Sequence, residues 1–270
     1  RAMLRSAAVH SKGTSTLVGS SIIGASTGII IPIPMRSRKT MKKSIKRLPL
    51  FIYNAVSLPM ARRKLKHFEE MKKWTHVFEP AFGEASDLPG TWGGKVILEL
   101  GCGNGDYTLQ LARRFPKKTV VGVDIKGSRL WHGAKKAFEL RLKNARFLRV
   151  RIEDLAAYFS EAEVDEIWIP FPDPHPTLGN AKRRLTSPRF LEIYRRLLKR
   201  RGVLHLKTDN EALFLYTLEI LPGEGFEVVE VLGDVYGSGS SAGEIQTLYE
   251  KKYLKVGRTI RYLKVKLRPR

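Results

Sequence analysis

The chain has 270 residues, enough to bury one substantial core with at most a small extra module. Its 43% apolar content excludes wholesale disorder, and a single cysteine, Cys102, excludes an intramolecular disulfide and a thiolate zinc site. Forty-nine Lys and Arg against 26 Asp and Glu give a net charge of +23, a field that suits a polyanionic partner and nucleic acid above all.

In chain order, residues 1–59 form a basic N-terminal extension without amphipathic periodicity. Fourteen Lys and Arg precede the first acidic residue, Glu69, whereas the 202 residues from Glu69 onward carry 35 basic and 26 acidic side chains. The uncharged stretch from Gly13 to Ile33 is rich in Gly and Ser and too polar for a membrane span. The extension is expected to be disordered, a targeting segment or non-native, with Met35, Met41 and Met60 as alternative starts. A basic helix is expected at Ala61–Met71, and the main domain over residues 60–270. Strands follow at Val96–Leu100, Val120–Asp124, Ala145–Val150, Val164–Phe171 and Gly202–Lys207. Helices are expected between them at Asp106–Phe115, Ser128–Leu142 and Pro188–Arg200. Phe226–Leu232 and Gln246–Lys255 read as two further strands around a Gly/Ser-rich loop. Strands alternating with helices of this length imply an α/β fold with a doubly wound, mostly parallel sheet.

In such sheets ligands bind beyond the carboxyl ends of the strands. Gly101, Gly103 and Gly105 follow the first strand, where glycine lets a ligand approach bare backbone. Glu99 precedes them and can reach the positive amino end of an amino-acid-bearing cofactor. Asp124 ends the second strand, where a carboxylate can accept both hydroxyls of a ribose. The plainer alternatives are a tight turn and, for Glu99, a buried acid satisfied by backbone amides. Together these residues resemble the first motif of the class I S-adenosylmethionine-dependent methyltransferases. That resemblance implies a Rossmann-like fold with a seven-stranded sheet, mostly parallel, and an antiparallel C-terminal strand.

The next segments are more specific: Ile169-Pro170-Phe171-Pro172-Asp173-Pro174-His175-Pro176, Lys182-Arg183-Arg184-Leu185, His205-Leu206-Lys207-Thr208-Asp209 and Thr247-Leu248-Tyr249-Glu250. In this order and spacing they resemble the bacterial single-subunit tRNA (guanine-N7)-methyltransferases over about residues 61–264. The resemblance implies methyl transfer from S-adenosylmethionine to N7 of a guanosine in tRNA, at position 46 of the variable loop in tRNA numbering. Asp173 then stabilises the charge that develops on the purine, and Asp209, Glu250 and Thr247 join it around the guanine. Lys182 and Arg183, with Arg184 and Arg189, would contact phosphates at the pocket rim. The plainer readings make Asp173 a turn cap, Asp209 the N-cap of the next helix, Glu250 a surface strand residue and the basic cluster a solvated face. Trp131, His132 and His175 are left out of the active set.

Two departures from the family pattern stand out. Thr177 occupies a position where many relatives have Lys, a contact Lys182 could take over. Arg151-Ile152 replaces an Asp-Ala pair beside the adenine, which leaves Ile152 to pack against that ring. A non-catalytic RNA-binding or ribosome-assembly factor, or a methyltransferase for another RNA, is the alternative function. The expected setting is the cytoplasm, or an organelle matrix if the extension is a transit peptide. No stable membrane association is expected, and the protein is expected as a monomer or homodimer.

Overall fold

The computed structural model describes residues 62–81 and 86–268. The extension at 1–59 and the uncharged stretch within it lie outside the described residues. The main domain begins with helix α1 over residues 62–71 and the two-residue strand β1 (Val77–Phe78). Then come β2 (Lys95–Leu100), α2 (Asp106–Arg114), β3 (Lys118–Val123), α3 (Gly127–Glu139), β4 (Ala145–Leu148) and β5 (Val164–Pro170). The second half holds α4 (Pro188–Leu197), β6 (Leu198–Thr208), α5 (Glu211–Ile220), β7 (Phe226–Leu232), α6 (Leu248–Leu254) and β8 (Arg261–Leu267).

The period-2 geometry of β2 shows why the sheet must be covered twice. Val96, Leu98 and Leu100 join one buried cluster with Phe190, Leu191 and Tyr194 of α4, while Ile97 joins the other with Leu111 of α2 and Leu130 of α3. Both faces of the strand are therefore interior, and each such aliphatic side chain contributes about 1.5–3 kcal/mol by leaving water. Strand order is β1-β4-β3-β2-β5-β6-β8-β7. β1 to β6 run parallel, and β8 is antiparallel to both its neighbours. The expected seven strands become eight because the short β1 adds to the β4 edge.

One expected element is wrong. Gln246–Lys255 is not a strand: it holds α6, and the antiparallel strand lies further on at Arg261–Leu267. The Thr247 hydroxyl accepts from the Glu250 amide while the Glu250 carboxylate accepts from the Thr247 amide. This reciprocal cap stabilises a helix start and overrides the strand preference of Thr, Leu and Tyr. Among the described residues no helix is long and apolar enough to cross a membrane.

The turn after β2 is seated on α3 through two glycines. A Cβ on Gly133 would lie 2.7 Å from the Phe147 ring, 2.8 Å from the Asn104 carbonyl oxygen and 3.0 Å from Gly105 Cα. Alanine is the better helix former, by about 1 kcal/mol, yet the overlap with backbone outweighs this. Gly133→Ala is expected to destabilise the fold by about 1–3 kcal/mol, read as a lower urea midpoint; an unchanged midpoint would contradict the close crossing.

Candidate active site

β2 ends in Gly101 and Gly103 at φ of 73° and 55°, in the left-handed region that glycine reaches without strain. Added Cβ atoms at these two positions would meet nothing within 4 Å, so the turn leaves bare backbone facing open space. Asp124, just past β3, fixes the turn. Its carboxylate accepts from the Gly103 amide at 2.9 Å and from the Lys126 amide at 2.7 Å. Ile152 opens the short 3-10 turn after β4.

Glu99 lies beneath this turn rather than in its open face. It is 2% exposed and accepts a hydrogen bond from the Thr108 hydroxyl. Burial, with Asp106 and Asp124 adding like charge, pushes its carboxyl up to about 8 despite the Thr108 hydrogen bond. Burial thus favours the neutral form of Glu99, next to the acidic side chains of Asp106 and Asp124.

The acidic loop starts where β5 ends. The Phe171 amide still donates to the Lys207 carbonyl at 2.8 Å, but Phe171 and His175 both have positive φ, 52° and 42°. Non-glycine residues held there cost about 1–3 kcal/mol each, so something must hold the loop. Arg184 does so. Its guanidinium donates to the carbonyls of Pro174 and His175 at 3.2–3.3 Å and lies 4.2 Å from the centre of the Tyr216 ring. Arg184 is buried, so the expected triplet of phosphate-facing cations splits: Lys182 and Arg183 are exposed, and Arg184 clamps the loop. Asp173 itself is exposed.

These parts meet in one cavity of about 910 Å³. Gly101, Asp124 and Ile152 line it together with Asp173, Lys182 and Arg183. Lys126 and Arg129, at the start of α3, line it too; sequence reasoning passed over them, although cations just after a strand-end acid were the available signal. Glu99 lies buried behind the cavity wall, while Gly103, half-buried, sits in the open turn beside it and is bonded to Asp124.

Asp209, Thr247 and Glu250 are not brought into that cavity. The Asp209 carboxylate pairs with Arg258 at 2.5 Å, and its neighbour Asn210, not Asp209, caps α5 by accepting from the Leu213 amide. Glu250 is wholly buried in α6, not on a surface strand. It pairs with Lys207 at 2.6 Å and accepts from the Tyr236 hydroxyl at 2.6 Å. Lys207, equally buried, also donates to the Ala242 and Ile245 carbonyls at 2.9 Å. Burial pulls the ammonium down while the carboxylate opposes the shift. A lysine in a buried stretch between Leu206 and Thr208 was the sequence signal for this pair. Removing one partner from a buried pair leaves an uncompensated charge, so Glu250→Gln is expected to cost about 3–5 kcal/mol in urea unfolding. Combining it with Lys207→Met should recover much of the loss; an unshifted single-mutant midpoint would show that the pair does not anchor α6.

A family model with the description "Putative methyltransferase" matches residues 94–263. The tRNA (guanine-N(7)-)-methyltransferase of Christiangramia forsetii is 42% identical over 222 residues, covering 77% of this chain and 99% of the relative. The Porphyromonas gingivalis protein of the same name is 42% identical over 209 residues, 72% and 85% of the two chains. Among solved structures, the 16S rRNA methyltransferase KamB aligns with a TM-score of 0.54 at 16% identity, covering 72% of this chain and 99% of its own, a likeness of fold alone. With this identity over most of its length, the chain belongs to the tRNA (guanine-N(7)-)-methyltransferase family.

Proposed function

We propose that this chain methylates N7 of a guanosine in tRNA with S-adenosylmethionine as methyl donor, at position 46 of the variable loop in tRNA numbering. The observation that carries this reading is the single cavity in which a bare glycine turn with Asp124 faces the Asp173 loop and its exposed cations. The residues fit the donor. Open space above Gly101 and Gly103 admits a ligand against backbone, Asp124 suits ribose hydroxyls, Ile152 suits the adenine, and the acids around Glu99 suit a positive amino end. When bound, S-adenosylmethionine supplies an electrophilic methyl group.

The protein's own residues then have few chemical tasks. Guanine N7 carries an in-plane lone pair and no proton at neutral pH, so no general base is required. Asp173 stabilises the positive charge that grows on the purine, and the Arg184 clamp fixes its distance from the ring. Asp209 lies outside the cavity, oriented by Arg258, and offers its carboxylate to guanine N–H donors where the base extends past the Asp173 loop. Lys182 and Arg183 bind phosphate and give register along the RNA. Thr247 and Glu250 act indirectly, by fixing α6. With tRNA as substrate, the protein works where tRNA matures: the cytoplasm, or an organelle matrix.

Labelled S-adenosylmethionine and unmodified tRNA transcripts, followed by nucleoside analysis, test the reading. Wild-type protein is expected to form 7-methylguanosine, and Asp173→Ala to lower the rate by about 10²- to 10³-fold while retaining cofactor binding. Label in another base, or in none, would overturn it. Glu99 gives a second test. Its raised folded value means its contribution to stability is complete below the unfolded value of 4.5 and is lost as pH rises through about 8. A cationic amino group bound above it favours the ionised form. S-adenosylmethionine binding near pH 7 is therefore expected to release about one proton, seen as a buffer-dependent calorimetric heat that Glu99→Gln abolishes.

A further inference from the structure

The Thr247-Leu248-Tyr249-Glu250 segment divides into anchors and a display. Glu250 is buried against Lys207 and out of reach of a ligand, and the Thr247 hydroxyl accepts from the Glu250 amide in the helix cap. Tyr249, between them, projects outward and is 52% exposed. About half of the residue is bare, and the aromatic rings beside it are Phe171 and Tyr253.

Its surroundings point to a ligand. The Tyr249 ring lies 5.9 Å from the ring of Phe171, which lines the same cavity as Asp173. Tyr253, one turn along α6, meets it edge-on at 4.2 Å, and the Tyr253 hydroxyl donates to the Tyr249 hydroxyl. Arg258 lies 4.5 Å from the centre of the Tyr253 ring and bonds Asp209. A chain of contacts thus runs from the Asp173 loop through Phe171, Tyr249 and Tyr253 to Asp209, with Tyr249 as its exposed ring. The shared hydrogen bond between the Tyr249 and Tyr253 hydroxyls, with burial, pushes the Tyr249 hydroxyl up to about 12.

We propose that Tyr249 is the stacking platform for the target guanine, a planar face that receives the splayed base between the carboxylates of Asp173 and Asp209. Unstacked RNA bases are held in this way, on aromatic faces beside edge-reading polar groups. This assignment rests on the guanosine-methylation reading above. It explains why α6 is anchored so deeply: a stacking face is useful only if it does not move with the base.

The test compares full-length wild type, Tyr249→Ala and Tyr249→Phe in steady-state methylation of tRNA. S-adenosylmethionine affinity and thermal midpoint are measured alongside. Base–aromatic stacking is worth a loss of about 5- to 150-fold in kcat/KM for tRNA when the ring is removed. That loss is expected in Tyr249→Ala, with cofactor affinity and thermal midpoint unchanged, while Tyr249→Phe keeps the ring and stays close to wild type. Wild-type kcat/KM in Tyr249→Ala overturns the proposal. So does a loss that Phe fails to rescue, or one that comes with a lowered thermal midpoint. A wild-type protein that forms no 7-methylguanosine defeats the parent reading instead, and with it guanine as the ligand.

Discussion

The constraint behind the site is the shared direction of the strands from β2 to β6. Because β2, β3, β4, β5 and β6 run parallel, their carboxyl ends lie at one edge of the sheet, and each delivers one loop there. Gly101 comes from the first, Asp124 from the second, Ile152 from the third and Asp173 from the fourth, while Asp209 follows the fifth just outside the cavity. Strand order reverses at β2, with β3 on one side and β5 on the other, and the loops diverge there to open the cavity. No single loop makes the site. The sheet assembles it, and the two buried clusters that flank the sheet hold those ends in register.

Charge is divided with equal economy. Acidic side chains lie under and beside the glycine turn, at Glu99, Asp106 and Asp124. Cations stand at the mouth, with Lys126 and Arg129 on the α3 side and Lys182 and Arg183 on the acidic-loop side. A polyanion is therefore met from two directions, while its base enters a region of opposite preference. Phosphate contacts of this kind position the nucleic acid without reading its sequence.

Much of this was legible in the residues, and the failures have physical causes. The glycine turn, Asp124 and the proline-flanked Asp173 could be read because each rests on local backbone chemistry: left-handed turns, strand-end acids and restricted φ. The alternation of strand and helix gave the parallel sheet for the same reason. α6 was missed because Leu248 and Tyr249 favour a strand in isolation, and the Thr247–Glu250 cap that reverses the preference lies three residues apart. Arg184 was grouped with Lys182 and Arg183 because charge is visible in a sequence and direction is not. Glu250 looked like a ligand for guanine, since nothing local shows that Lys207, 43 positions earlier, meets it in the interior.

The Arg184 clamp has a consequence for how such a site can change over time. Lys182, Arg183 and Arg184 are adjacent and alike in charge, yet two stand exposed at the cavity and one is buried on the protein's own loop. Drift toward a different RNA can exchange the outer two freely, because any cation will hold a phosphate. The third position is closed even to lysine, which keeps the charge but lacks the planar fork that spans two carbonyls and lies against Tyr216. Neighbouring residues of like charge thus face opposite physical demands, one pair open to solvent and the third fixed by the shape of the loop it holds.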